Sequence, residues 1–238
     1  RAKSTLPFFS SRASIVAVQR SAVMGYPFWG SDTCGYNQQL MEQEVCARWL
    51  AFSAFTPIME VGPTRNLAFW SLPRDPSYDE VLIAAWRLYA RLHERLMDYG
   101  WRFVQEASAT GMPIVRPLFL VEPGAAEAWA NWTTYLYGTD VVVSPIWEKG
   151  RREATVYLPS GSRWRDAWRK DQVHDGGRSV TVVAGVHQIP LFVREGSGLD
   201  LGDLNREWDD AVAAARVRPD LKALDAELAA AWGSGPAK

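Results

Sequence analysis

The residue of this chain best suited to do chemistry is Asp32, in the stretch GYPFWGSDTCGY from Gly25 to Tyr36. The apolar run through Pro27, Phe28 and Trp29 reads as a buried strand. It opens into Gly30, Ser31 and Asp32, which puts one carboxylate at the strand's C-terminal mouth. Aromatic rings beside an acid restrict water and favour its protonated form, the environment a general acid needs. Gly30 and Gly35 let backbone or ligand come close. An equal rival makes Asp32 a turn or N-cap residue before the helix that follows.

A second carboxylate, Glu60, ends another short apolar run, AFTPIMEVG, and is the best internal partner for Asp32, because parallel strands of a barrel aim their C-terminal ends at one face. Carboxylates at strand ends are also commonly structural. Glu42 and Glu44 belong to a helix start, where the helix dipole favours negative charge. Of the three histidines, His93 lies on a long helical stretch as a packed or capped surface residue rather than a base, and His174 and His187 lie far along the chain. No cluster has metal-ligand spacing and no glycine-rich phosphate loop follows a strand, so no metal or cofactor is called for. Cys34 and Cys46 make neither a disulfide framework nor a metal site; free buried thiols are the expectation unless the fold brings them together.

The elements that must position these groups read as helix, strand and loop, repeated. Ile15, Val18, Ala22 and Val23 mark one face of a helix stopped by Gly25. Val45, Trp49 and Phe52 mark a second over 43–52. The clearest helix runs from Tyr78 to Gly100 on Val81, Ala85, Leu88, Leu92 and Leu96; a further patch, Phe103 to Thr110, ends at Gly111, and MPIVRPLFLVEP follows as a buried strand. This repetition is the pattern of a parallel sheet or a (β/α)₈ barrel. After one more helix at 125–137 the period becomes 2: DVVVSPIW, EATVYLP, RWRDAW, SVTVVAG and HQIPLFVRE read as strands of an antiparallel sandwich or small barrel. The expected division is a barrel part over 1–137, a β-domain over 138–198 and a helical or partly disordered tail over 199–238, where Pro219 splits a stripe of Leu221, Leu224, Leu228 and Trp232.

The 238 residues can bury a sizeable core, and 47% apolar with 22% charged residues suits a globular protein. A net charge of −1 advertises neither nucleic acid nor an anionic membrane surface, and no apolar run is long enough to span a bilayer. Twelve Trp suit both a packed core and stacking on sugar rings.

GYPFWGSDTCGY, then EVCARWLAFSAFTPIMEVG, GMPIVRPLFL, LYGTDVVVSPIW and IPLFVREGS, together resemble glycoside hydrolase family 31, the α-glucosidases and α-xylosidases, over roughly residues 11–198. The resemblance implies the C-terminal part of a (β/α)₈ barrel, about strands six to eight, followed by a β-domain. It implies retaining hydrolysis of terminal α-linked glucosyl or related residues, with Asp32 as acid/base. The nucleophile it implies lies upstream of this sequence, so the chain is expected to be one portion of a larger enzyme and inactive alone. Its partners would be an oligosaccharide and the missing N-terminal barrel part; self-association and compartment stay open. Where many family members have a sugar-binding His, the matching place is Gly62, and Arg65 or Asn66 could replace its hydrogen bond. Trp29, Phe28 and Trp70 are candidate sugar platforms, with core packing favoured for Phe28 and equal for Trp29. The alternatives are a carbohydrate-binding or scaffold piece that has lost chemistry, and an α-transglycosylase.

Overall fold

The computed structural model describes residues 6–34, 43–60 and 79–217, together with the single residue 226. Arg65, Asn66, Trp70, Gly62 and the leucine stripe of the tail lie outside the described residues. Helix α1 (Leu6–Val23) ends at Gly25, whose φ of 88° needs a residue without Cβ. Ile15, Val18 and Ala22 are buried as their spacing predicts, whereas Val23 is exposed. Helix α2 (Gln43–Ser53) is buried from Val45 to its end, Arg48 included. It packs against both α1 and α3 (Glu80–Arg95), which leaves it no polar face.

The single helix expected up to Gly100 is two. Asp79 caps α3, its carboxylate accepting from the Leu82 N–H at 3.1 Å, and the chain breaks at Leu96 before α4 (Met97–Thr110). Gly100 lies inside α4 rather than ending it. A Cβ there would sit 2.8 Å from the Tyr137 hydroxyl, so this glycine serves close packing on the sheet.

The expected strand MPIVRPLFLVEP is only β1 (Val115–Pro117), followed by the short helix α5 (Leu118–Val121). The expected helix at 125–137 is α6 (Ala126–Ala130) followed by β2 (Tyr135–Tyr137). The remaining strands are β3 (Val141–Val143), β4 (Glu153–Leu158), β5 (Arg163–Asp166), β6 (Val173–Asp175), β7 (Arg178–Val183) and β8 (Leu191–Arg194). One sheet runs β1-β2-β3-β8-β5-β6 and a second pairs β4 with β7, all antiparallel. Gly138 is therefore a turn inside this sheet, between β2 and β3, and β1 belongs to the antiparallel unit and not to a parallel one.

Alternation explains why YLY and VVV are wholly apolar. Tyr135, Tyr137, Val141, Val143 and Leu191 face the helices, while Leu136, Val142 and Phe192 face β4 and β7. Helix α7 (Leu204–Arg216), capped by Asp203, packs on α3; Arg95 bridges to Glu207 at 3.0 Å, and Asn205 donates to the Trp168 carbonyl at 2.7 Å. The first half of the tail is thus an ordered part of the body.

Candidate active site

Neither apolar run expected to be a barrel strand forms a regular one. Residues 24–31 are turn and coil, and the two runs meet in one isolated parallel bridge, Asp32 with Glu60. The Thr33 N–H donates to the Glu60 carbonyl at 3.1 Å. Gly30 lies so close to the other segment that a Cβ would fall 2.2 Å from the Ile58 carbonyl oxygen. Residues opposite one another in a parallel pairing direct their side chains to the same face, on backbones about 4.8 Å apart. The structure therefore brings Asp32 and Glu60 together on one face, Asp32 half-buried and Glu60 exposed.

The first segment rests on α2. The Trp49 indole N–H donates to Ser31 Oγ at 2.8 Å, and the Thr33 hydroxyl donates to Ser53 Oγ at 2.7 Å. On the second segment, the Thr56 hydroxyl donates to the Ile58 carbonyl at 2.8 Å, and the Tyr135 hydroxyl donates to the Phe55 carbonyl at 3.0 Å. Cys34 and Cys46 are joined in a disulfide, with Cα atoms 4.7 Å apart, contrary to the expectation of free thiols; the turn at Thr33 and Cys34 lies against the first turn of α2 and brings the sulfurs into reach. Cys34 adopts φ 67°, the left-handed region.

The aromatic residues divide. Trp29 packs against the main core, while Phe28, expected in the core, is 46% exposed. His93 caps the chain after α2, its Nδ1 lying 3.0 Å from the Ala54 carbonyl oxygen. His174 packs edge-on against Phe192, and His187 packs against Trp168 and Trp208. Glu44, on the first turn of α2, accepts from Arg48, Arg152 and the Gly150 N–H, which ties the helix to the β3–β4 loop. Among the described residues no group of three or more His, Cys, Asp or Glu could hold a metal ion, and no helix is long and apolar enough to cross a membrane.

The supporting contacts of Ser31, Thr33, Trp49 and Ser53 had no signal in the sequence. Their partners lie about twenty residues apart, and Trp49 read only as a core-facing helical position.

The family model described as the TIM-barrel domain of glycosyl hydrolases family 31 matches residues 8–102, and the one described as the family 31 C-terminal domain matches residues 111–199. The chain belongs to glycoside hydrolase family 31. It is 31% identical over 183 residues to the sulfoquinovosidase of Agrobacterium fabrum, covering 74% of this chain and 26% of that protein. It is 31% identical over 218 residues to the alpha-xylosidase of Saccharolobus solfataricus, covering 87% and 29%. Among solved structures, the family 31 dextranase of Flavobacterium johnsoniae complexed with glucose superposes with a TM-score of 0.71 at 27% identity, over 80% of this chain and 23% of that one. The cycloalternan-degrading enzyme of Trueperella pyogenes in complex with isomaltose gives 0.72 at 29% identity, over 80% and 28%. The chain spans about a quarter of the length of the curated relatives it matches. Its family models meet between residues 102 and 111, just before β1 joins the antiparallel sheet.

Proposed function

We propose that this chain is a portion of a retaining α-glycosidase acting on terminal α-linked glucosyl or related residues of oligosaccharides, and that Asp32 is its acid/base. In retaining hydrolysis one carboxylate attacks the anomeric carbon while a second protonates the departing oxygen; the second then activates water against the covalent intermediate. The observation that carries this reading is the parallel bridge of Asp32 with Glu60: two carboxylate-bearing segment ends face one way, as successive strands do at the C-terminal mouth of a barrel. By the resemblance these are strands six and seven. The nucleophile comes from barrel residues outside this chain, and Glu60 contacts the sugar rather than attacking it. Arg65, Asn66 and Trp70 complete the sugar contacts, with Trp29 and Phe28 at the rim.

A second reading makes Asp32 an acceptor for sugar hydroxyls. The exposure of Phe28 favours it, because that ring does not wall the carboxylate off from water as an acid requires. Asp32→Ala in the full-length parent separates the two. As acid/base, its loss slows glycosides with poor leaving groups far more than activated ones. As a hydroxyl acceptor, its loss weakens both alike. An unchanged rate on both removes Asp32 from the site. The 238-residue chain alone is expected to turn over no aryl α-glycoside, and clear turnover by it would overturn the reading as a portion.

A further inference from the structure

We propose that Trp49 and Ser53 are positioning residues that set the direction of the Asp32 carboxylate, acting through Ser31 and Thr33. The inference rests on the reading of Asp32 as a substrate-facing group. Among the described residues the ties at Asp32 run through its backbone bridge to Glu60 and through the side chains on either side of it. Both neighbours are held. Ser31 Oγ accepts from the Trp49 indole at 2.8 Å, and the Thr33 hydroxyl donates to Ser53 Oγ at 2.7 Å.

Two points hold the segment. Trp49 and Ser53 are i and i+4 on α2, on one face and about 6 Å apart along the axis. Ser31 and Thr33 stand on either side of Asp32, whose backbone makes the parallel bridge, and both side chains bond to that face of α2. A two-point register therefore docks the segment on the helix and fixes the backbone from which the carboxylate projects. Trp49, Ser53 and Thr33 are buried, so removing the Ser31 hydroxyl leaves the Trp49 indole N–H without water to replace it, and either group removed from the Thr33–Ser53 tie does the same to its partner. The Thr33 N–H to the Glu60 carbonyl is a third tie, and it carries the same register to the second carboxylate.

The test uses Ser31→Ala, Trp49→Phe and the double variant in the full-length parent, beside Asp32→Ala. A positioned group 1 Å out of place costs up to about a hundredfold. The expected result is a tenfold to hundredfold fall in the parameter that Asp32→Ala moves. If that is the rate on poor leaving groups, the ratio of poor to activated substrates falls with it; a general loss of fold leaves the ratio alone. The double variant should be no worse than the worse single, since both remove one bond. On the 238-residue chain, the same variants should speed amide hydrogen exchange of Thr33 at least tenfold while exchange in the centre of α3 stays unchanged. Wild-type kinetics in a folded Ser31→Ala parent, beside a crippled Asp32→Ala, overturn this inference and leave the proposed function standing. An Asp32→Ala parent of full activity overturns both.

Discussion

Asp32 and Glu60 form the one parallel pairing found among the described residues, and Gly30 makes it possible by passing over the Ile58 carbonyl oxygen. The obstacle a Cβ would meet is backbone, not the movable end of a side chain. Gly30→Ala should therefore push the two segments apart, at a cost of about 1–3 kcal/mol. Urea unfolding of the chain should show the loss, and exchange at the Thr33 amide should quicken. A midpoint equal to that of the wild type would mean that the segments part without cost.

The disulfide staples the turn at Cys34 to α2 at Cys46 across a sequence separation of 12. Closing a loop of this size restricts the unfolded chain, worth about 3 kcal/mol in the chain-entropy treatment. The double variant Cys34→Ser with Cys46→Ser should unfold at lower denaturant by that order. Alkylation of the unfolded, unreduced chain should label no cysteine, and labelling of two would show the thiols free.

Much of the antiparallel unit was legible in the sequence, because period-2 alternation and glycine turns are local signals; five of its strands stand where the pattern puts them, while β6 was missed and β2 was read as the end of a helix. The barrel part was less so. FWGSD and PIME are apolar like buried strands, yet among the described residues they pair through a single bridge, since extended structure depends on neighbours that a local pattern does not contain. The break at Leu96 was hidden by an apolar period that runs through it unbroken. Asp32 and Glu60 could be named because each ends an apolar run. Trp49, Ser53 and the disulfide could not, because nothing near them in sequence marks their partners.

Glu44 and Arg48 show how strongly α2 is tied to the β-domain. The Arg48 side chain is 4% exposed, and its Nη1 has no hydrogen-bond partner. Burial would raise the Glu44 carboxyl, but hydrogen bonds from Arg152, Arg48 and the Gly150 N–H outweigh it and hold it below its ordinary value. Glu44→Gln leaves a buried guanidinium without its counter-charge, at a cost of about 3 kcal/mol, whereas Arg48→Met removes the buried charge and should cost less. Urea titrations of the two variants check the order, and equal losses would contradict it. Because the folded carboxyl lies low, the stability it contributes is present above about pH 4.5 and falls away as the pH drops through the folded value.

His187 gives a separate pH dependence in a higher window. Its ring stacks on Trp208 of α7 with centroids 4.1 Å apart and planes 10° from parallel, and meets Trp168 edge-on at 5.8 Å. Burial pushes its imidazole below the ordinary value, and the charge of Asp209 opposes this only in part. As the pH falls, the unfolded chain takes up the proton first, near pH 6.5, while the folded ring stays neutral. The contribution to stability is therefore complete above about pH 6.5 and is lost as the pH drops from there through the folded value. His187→Phe keeps a ring against Trp208 and removes the proton. Its urea midpoint should change less than that of the wild type between about pH 7 and pH 5, with the two curves converging in shape below pH 4.5, where the carboxylates take over. The same slope in both proteins across the upper window would show that the α7 contact does not sense the protonation of His187.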